Sequence, residues 1–315
     1  MAHLSDDRGQ IILVAAFALG VIFIALAVVV NAAIFTENLA TRGEATSDSD
    51  ALTYRYELEE SVGRALTYVN TEASSGVLVS TLETRVNVNI TDISNLGGRE
   101  KATFGRAVTV SNVTWYAEGT RFENSTSTFE SANGDATWAL ATNTDATRKL
   151  VLNVTDTSEL AVGRDGAFNL SVQAGNDYWN LTVFNDTTTG PVNVTVTTGT
   201  GDVAYCTRAV SEPFTIAVTE GLVAGQRCPA LRVSDNRQMW FGTGVSEPYS
   251  IVFDNATSIE GGYSGIINGT NIGLVPGTPA STTTALYSLK VGYRYETPSL
   301  RYQTAIRVAP GEPAS

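Results

Sequence analysis

The reading of this chain turns on Arg8-Gly9-Gln10 and the run behind it, IILVAAFALGVIFIALAVVV, Ile11 to Val30. Twenty residues without a charge, rising about 1.5 Å each in a helix, reach roughly 30 Å, the thickness of a bilayer's hydrocarbon core. The next charge after Arg8 is Glu37, and no comparable apolar run occurs elsewhere in the 315 residues. One apolar helix therefore precedes a large polar body.

Three uses of such a helix compete. A secretory signal peptide has a basic start, an apolar core of about 7–15 residues and a small-residue cleavage site. Here the core is longer and Asp6 and Asp7 stand beside Arg8, although Asn31-Ala32-Ala33 offers small residues. An uncleaved anchor needs only the length. A prepilin-type signal is cut before the apolar run, which then stays on the mature chain. The order charged, small, Gln, aliphatic at Arg8-Gly9-Gln10-Ile11 fits that third use, with Gly9 as the small residue at the membrane edge.

On those residues, and on Gln10-Ile11-Ile12-Leu13-Val14-Ala15-Ala16, the chain resembles the archaeal type IV pilin-like family, with an archaellin type of N-terminus. The resemblance covers about 35 residues. It implies cleavage between Gly9 and Gln10 by a prepilin-type peptidase, and assembly with other pilin-like subunits through the apolar helix. The chain departs from bacterial pilins, which carry Glu five residues into the mature protein where Val14 stands here. Asn38-Leu39-Ala40-Thr41-Arg42 is also similar to uncharacterised haloarchaeal membrane-anchored secreted proteins.

Lys and Arg flanking the run do not set its orientation, because Asp6 and Asp7 offset Arg8 and Arg42 lies on the other side. Ten Asn-x-Ser/Thr sequons follow the helix, at Asn89, Asn112, Asn124, Asn153, Asn169, Asn180, Asn185, Asn193, Asn255 and Asn268. Side chains alternate between the two faces of a strand. Asn153 falls opposite the apolar set Leu150, Leu152 and Val154. Asn169, Asn180 and Asn193 are placed likewise against their neighbours. These four would face solvent as N-glycosylation acceptors, so we expect a cell-membrane protein with an extracellular C-terminal body. Polar strand faces also favour Asn and Thr without any sugar. Asn112 breaks the pattern, sharing phase with Val108 and Val110. Cys206 and Cys228 are the only cysteines, either a disulfide suited to an oxidising compartment or two buried thiols.

The formal charge is −12, with three lysines only, Lys101, Lys149 and Lys290. An acidic, lysine-poor surface suits high salt and a haloarchaeal source, although a glycosylated mesophilic surface protein has a similar composition. It argues against a nucleic-acid partner, which needs a basic footprint.

In the body, Leu52, Tyr56, Leu58, Val62, Ala65, Leu66 and Val69 recur at helical spacing. We expect a break at Gly43 and the Ser47–Asp50 cluster, and a new helix capped by Asp48 or Ser49. Residues 71–100 fit a helix by Leu78, Leu82, Val86 and Ile90, or a strand by Val86, Val88 and Ile90; we read a second helix packing on the first. From Arg106 the period is two. The clearest pair is Tyr287, Leu289, Val291, Tyr293 and Tyr295 on one face, then a turn at Thr297-Pro298-Ser299, then Leu300, Tyr302, Thr304, Ile306 and Val308. The expected fold is α+β: a leader over 1–9, a transmembrane helix over 10–36, a helical stalk over 37–100, a β-rich sandwich or barrel-like ectodomain over 101–309, and a disordered tail over 310–315.

Catalysis finds little support. The only histidine is His3, so no Ser-His or Cys-His pair exists in the body. Gly262-Tyr263-Ser264-Gly265-Ile266 lacks the final glycine of a nucleophile elbow. Asp48-Ser49-Asp50 with Glu59 has Thr53 where a calcium loop needs glycine. We expect no enzyme, cofactor or metal. The function read from the sequence is a pilin-like anchored glycoprotein with a structural role, a minor pilin or pseudopilin. The alternative is a permanently anchored adhesin or lectin-like envelope protein, its sugar-facing rings drawn from Trp115-Tyr116, Tyr178-Trp179 or Trp240-Phe241.

Overall fold

The computed structural model describes residues 6–126, 128–187, 190–199, 201, 203–231, 245–268, 273–274 and 280–312. It is α+β, as expected. Helix α1, Asp6–Thr71, runs 66 residues without interruption, a rod of about 100 Å. The break expected at Gly43 and Ser47–Asp50 is absent, and Ser49 caps nothing: its carbonyl accepts a hydrogen bond from Thr53 Oγ1 inside the helix. A lone glycine costs a helix only about 1 kcal/mol, less than the packing of the following turns supplies. Helix α2, Val79–Ala102, then returns along α1.

Fifteen strands follow among the described residues: β1 Ala107–Asn124, β2 Trp138–Thr144, β3 Ala146–Asp156, β4 Phe168–Ala174, β5 Asp177–Asn185, β6 Val192–Thr198, β7 Val203–Arg208, β8 Phe214–Ala217, β9 Leu222–Val223, β10 Gln226–Arg227, β11 Tyr249–Asp254, β12 Glu260–Asn268, β13 Gly273–Leu274, β14 Ser281–Glu296 and β15 Arg301–Val308. They form two antiparallel sheets, ordered β10-β9-β8-β3-β12-β1-β14-β15 and β13-β2-β11-β4-β5-β6-β7. The body is thus a sandwich rather than a barrel.

Two cores share the larger sheet. Between the sheets, Leu150, Leu152 and Val154 of β3 meet Leu170, Val172, Leu181 and Val194 of the smaller sheet. Phe129, Phe168, Phe253 and Tyr263 stack there with ring centroids 5.0–5.6 Å apart. The second core lies where α1 and α2 cover β1, β14 and β15. It joins Leu58, Val62 and Leu66 of α1 and Leu82, Val86 and Ile90 of α2 to Leu289, Val291, Ile306 and Val308. Each such aliphatic side chain contributes about 1.5–3 kcal/mol on burial, which holds the second half of α1 to the head. Gly97 of α2 permits the close approach of α1, because a Cβ there would sit 1.8 Å from the Tyr54 hydroxyl.

Three local expectations change. Leu289, Val291, Tyr293 and Tyr295 do face the helices, but Tyr287 does not; it packs with Ile266 and Ala285, while Leu286 joins the helix-side core. The cause is a bulge: Ala117 pairs with Ser288 and Glu118 with Leu286, so Tyr287 is the extra residue and the phase inverts. Likewise β1 shifts register between Val110 and Val113, which turns Asn112 outward to an exposed position. In the expected tail, Pro310–Glu312 is held rather than loose: Arg148 and Lys149 donate to the carbonyls of Pro310 and Gly311, and Glu312 accepts from Arg307 and Tyr287. Residues 313–315 lie outside the described residues.

Candidate functional site: an apolar helix and its seat on the head

Leu13–Ile34 of α1 is long and apolar enough to cross a membrane, with a mean hydropathy of 3.1 and no part of it buried against the head. Thirteen large apolar side chains stand bare there, from Leu13 to Ile34, around the whole circumference. A helix apolar on every side belongs inside a core or a bilayer, and on insertion scales each of these side chains gains about 0.3–0.6 kcal/mol by entering lipid. Gly9 and Gln10 lie in the first turns of the same helix, ahead of this segment. From Ile34 to Ala51, the first residue that the head buries, the helix covers 17 residues, about 25 Å.

The seat is polar at its two ends. Near the apolar segment, Asp50 pairs with Arg106, and the Tyr293 hydroxyl donates to the Ala51 carbonyl at 3.0 Å. At the far end β15 has ended at Val308, opposite Leu289, and buried Asn70 takes up the Leu286 backbone beyond it. Asn70 Nδ2 donates to the Leu286 carbonyl and its Oδ1 accepts the Leu286 amide, both at 2.9 Å. Asn70→Ala should therefore destabilise the fold by about 2 kcal/mol, chiefly through the orphaned amide. Urea titration followed by circular dichroism measures it, and an unchanged midpoint would contradict the pairing.

Arg148 completes this end. Its guanidinium is fully buried, donates to the carbonyls of Leu286 at 3.0 Å and Pro310 at 2.8 Å, and lies 5.6 Å from the centre of the Tyr287 ring. Burial pushes its pKa down to about 10, which leaves it charged at neutral pH. Burial, then the Glu312 carboxylate, holds the Tyr287 hydroxyl neutral well above the usual tyrosine range. Neither Asn70 nor Arg148 was singled out from the sequence, where nothing in their spacing separates them from surface residues. Beside this end an open groove of about 720 Å³ runs along α1, lined by Tyr56, Gly63, Tyr68, Lys149, Val308 and Pro310.

Cys206 and Cys228 form a disulfide with Cα atoms 5.6 Å apart. It joins β7, the edge of the smaller sheet, to the turn after β10, the edge of the larger one. On the chain-entropy view, closing that loop stabilises the fold by about 3 kcal/mol. Asn153, Asn169, Asn180 and Asn193 are half-exposed between fully buried neighbours. Asn153 is on β3 of the larger sheet; the other three share the smaller sheet. Of the aromatic pairs, Trp179 is buried with Tyr178 half-exposed, and Trp115 is exposed under the Lys290 ammonium with Tyr116 half-buried. Trp240-Phe241 lies outside the described residues.

A protein-family profile described as a family of unknown function, DUF7261, matches residues 5–154. That stretch, just under half the chain, takes in both helices, β1, β2 and most of β3. No curated protein and no solved structure matches the chain.

Proposed function

We propose that this chain is a membrane-anchored surface glycoprotein of pilin-like design, its head outside the cell and its role structural, as a minor pilin or pseudopilin. One observation carries the reading. A single continuous helix, Asp6–Thr71, is bare and apolar over Leu13–Ile34 and packed into the head over its second half. Such a rod transmits a head's position to whatever covers its apolar end. In the membrane that cover is lipid; in a filament it is the same helix of other subunits. Arg8-Gly9-Gln10 directly ahead of the apolar segment supports processing by a prepilin-type peptidase, with Gly9 and Gln10 on either side of the cut. The acidic, lysine-poor composition supports a haloarchaeal setting.

The test is the N-terminus of the mature protein purified from membranes. The reading expects it to begin at Gln10, and expects Gly9→Val to leave the leader in place. Mature protein that still begins at Met1 or Ala2 would contradict processing. That outcome favours the second reading, a permanently anchored adhesin or lectin-like envelope protein. The second reading draws support from α1 itself, which continues unbroken through the Gly9–Gln10 bond. Shearing cells separates the two: a pilin-like subunit leaves with filaments, whereas a permanent anchor stays with the membrane.

A further inference from the structure

Six of the ten sequons divide by what their side-chain amides already do. Asn124 and Asn185 are buried, and each spends its Nδ2 on a backbone carbonyl, of Thr128 at 2.8 Å and of Thr157 at 2.6 Å. Asn255 does the same toward Ala167 at 3.0 Å. A sugar on any of these nitrogens would displace a bond that the loops depend on.

Asn169, Asn180 and Asn193 have the reverse arrangement. On the hairpin β4–β5, Asn169 lies directly across from Thr182, and Ser171 directly across from Asn180. Thr182 Oγ1 donates to Asn169 Oδ1 at 2.5 Å, and Ser171 Oγ donates to Asn180 Oδ1 at 2.6 Å. Each sequon's hydroxyl thus holds the other sequon's asparagine. On β6, Asn193 Oδ1 accepts from Thr207 Oγ1 of β7 at 2.6 Å. In all three the oxygen is engaged, while Nδ2 donates to no atom of the described residues. The inward neighbours Leu170, Leu181, Val192 and Val194 are fully buried, so the three amides stand on the sheet's outer face. That face is unlike the rest of an acidic chain. Its other outward strand positions on β4 to β7 include Gln173, Tyr178, Phe184, Thr197 and Tyr205, none of them charged, and the Arg164 guanidinium donates to Thr197 Oγ1 across from Asn180.

We propose that the outer face of the smaller sheet is a glycan-bearing surface, with Asn169, Asn180 and Asn193 as its acceptors. The donor is a sugar activated as a lipid phosphate ester. The new bond joins Nδ2 to the sugar's anomeric carbon, the sugar–phosphate bond breaks, and the amide proton leaves with the phosphate; no electrons change hands. Because the sugar attaches at nitrogen, the hydroxyl bonds to Oδ1 survive it. Asn169 and Asn180 are diagonal neighbours, roughly 7–8 Å apart in such a ladder, so their sugars shelter one strip of this face. α1 and α2 cover the other sheet, which leaves the helix side free of this sugar in any assembly through α1. The inference rests on the extracytoplasmic placement proposed above.

Glycopeptide mass spectrometry of the full-length protein from its own membranes tests it. Intact cells are first treated with a membrane-impermeant amine reagent that reports the exposed Lys290. The expected map has sugar at Asn169, Asn180 and Asn193 and none at Asn124 or Asn185. Asn169→Gln, Asn180→Gln and Asn193→Gln should each remove the mass of one glycan. Lys290 labelled on intact cells with these three asparagines bare overturns the glycan face and leaves the placement standing. Lys290 labelled only after lysis overturns both.

Discussion

Val21→Arg with Ile22→Arg should release the chain from membranes. On insertion scales an arginine near the middle of a spanning helix costs about 2.5–3.5 kcal/mol, and each large aliphatic residue returns only about 0.3–0.6. Two arginines therefore cost roughly 6 kcal/mol, the same order as everything the apolar segment gains. Val21 and Ile22 are exposed and the segment touches no part of the head. The variant should then lose its membrane and keep its fold. Sedimentation after alkaline carbonate extraction reads the first, with the native protein in the pellet and the variant in the supernatant. Near-ultraviolet dichroism of the head reads the second. A variant that pellets like the native chain would show that something other than this helix holds the protein to lipid.

Alkali should unfold the head in a steep transition just above pH 10. Burial raises the pKa values of Tyr249, Tyr263, Tyr287 and Tyr293 well above the ordinary 10.0. Between the unfolded and folded values, the native state keeps protons that the unfolded chain releases, so stability falls as pH rises. The stabilisation these groups give is complete below pH 10 and drains away above it. Four phenols together give a slope on the order of 5 kcal/mol per pH unit once the unfolded forms are ionised. Arg148 opposes them: its depressed value of about 10 means that the native state loses this proton first. That single proton offsets only about a quarter of the slope. Far-ultraviolet dichroism and the part of the tyrosinate absorbance that belongs to these four phenols, followed together from pH 9 to 12, should change in one step. Phenols ionising before the fold is lost would mean that these rings meet solvent.

How much of this was legible depended on whether a residue's partner was close in sequence. The apolar segment, the stripe through Leu58, Val62 and Leu66, and the alternation of Leu150, Leu152 and Val154 are local patterns, and each marks an element the structure contains. The hairpin ending at Val308 was equally plain, apart from Tyr287. Phase counting fails at a bulge, and β1 and β14 shift register three times along their length. Both the misplaced face of Tyr287 and the apparent exception at Asn112 come from those shifts. The helix break misled for a different reason. Gly43 and the Ser47–Asp50 cluster are good punctuation in isolation, but tertiary packing of the following turns outweighs a local preference of this size. Asn70, Arg148 and the held Pro310–Glu312 depend on contacts more than a hundred residues away, and no window of sequence reports them.

The helix, its seat and the outward asparagines support the proposal that lipid covers Leu13–Ile34 and that the head projects beyond the cell. Lys290 offers the most direct test. It is exposed, lies over Trp115, and is one of only three lysines in the chain. A membrane-impermeant amine reagent applied to intact cells should label it as fully as it does after lysis. Labelling that appears only once the cells are broken would contradict the account.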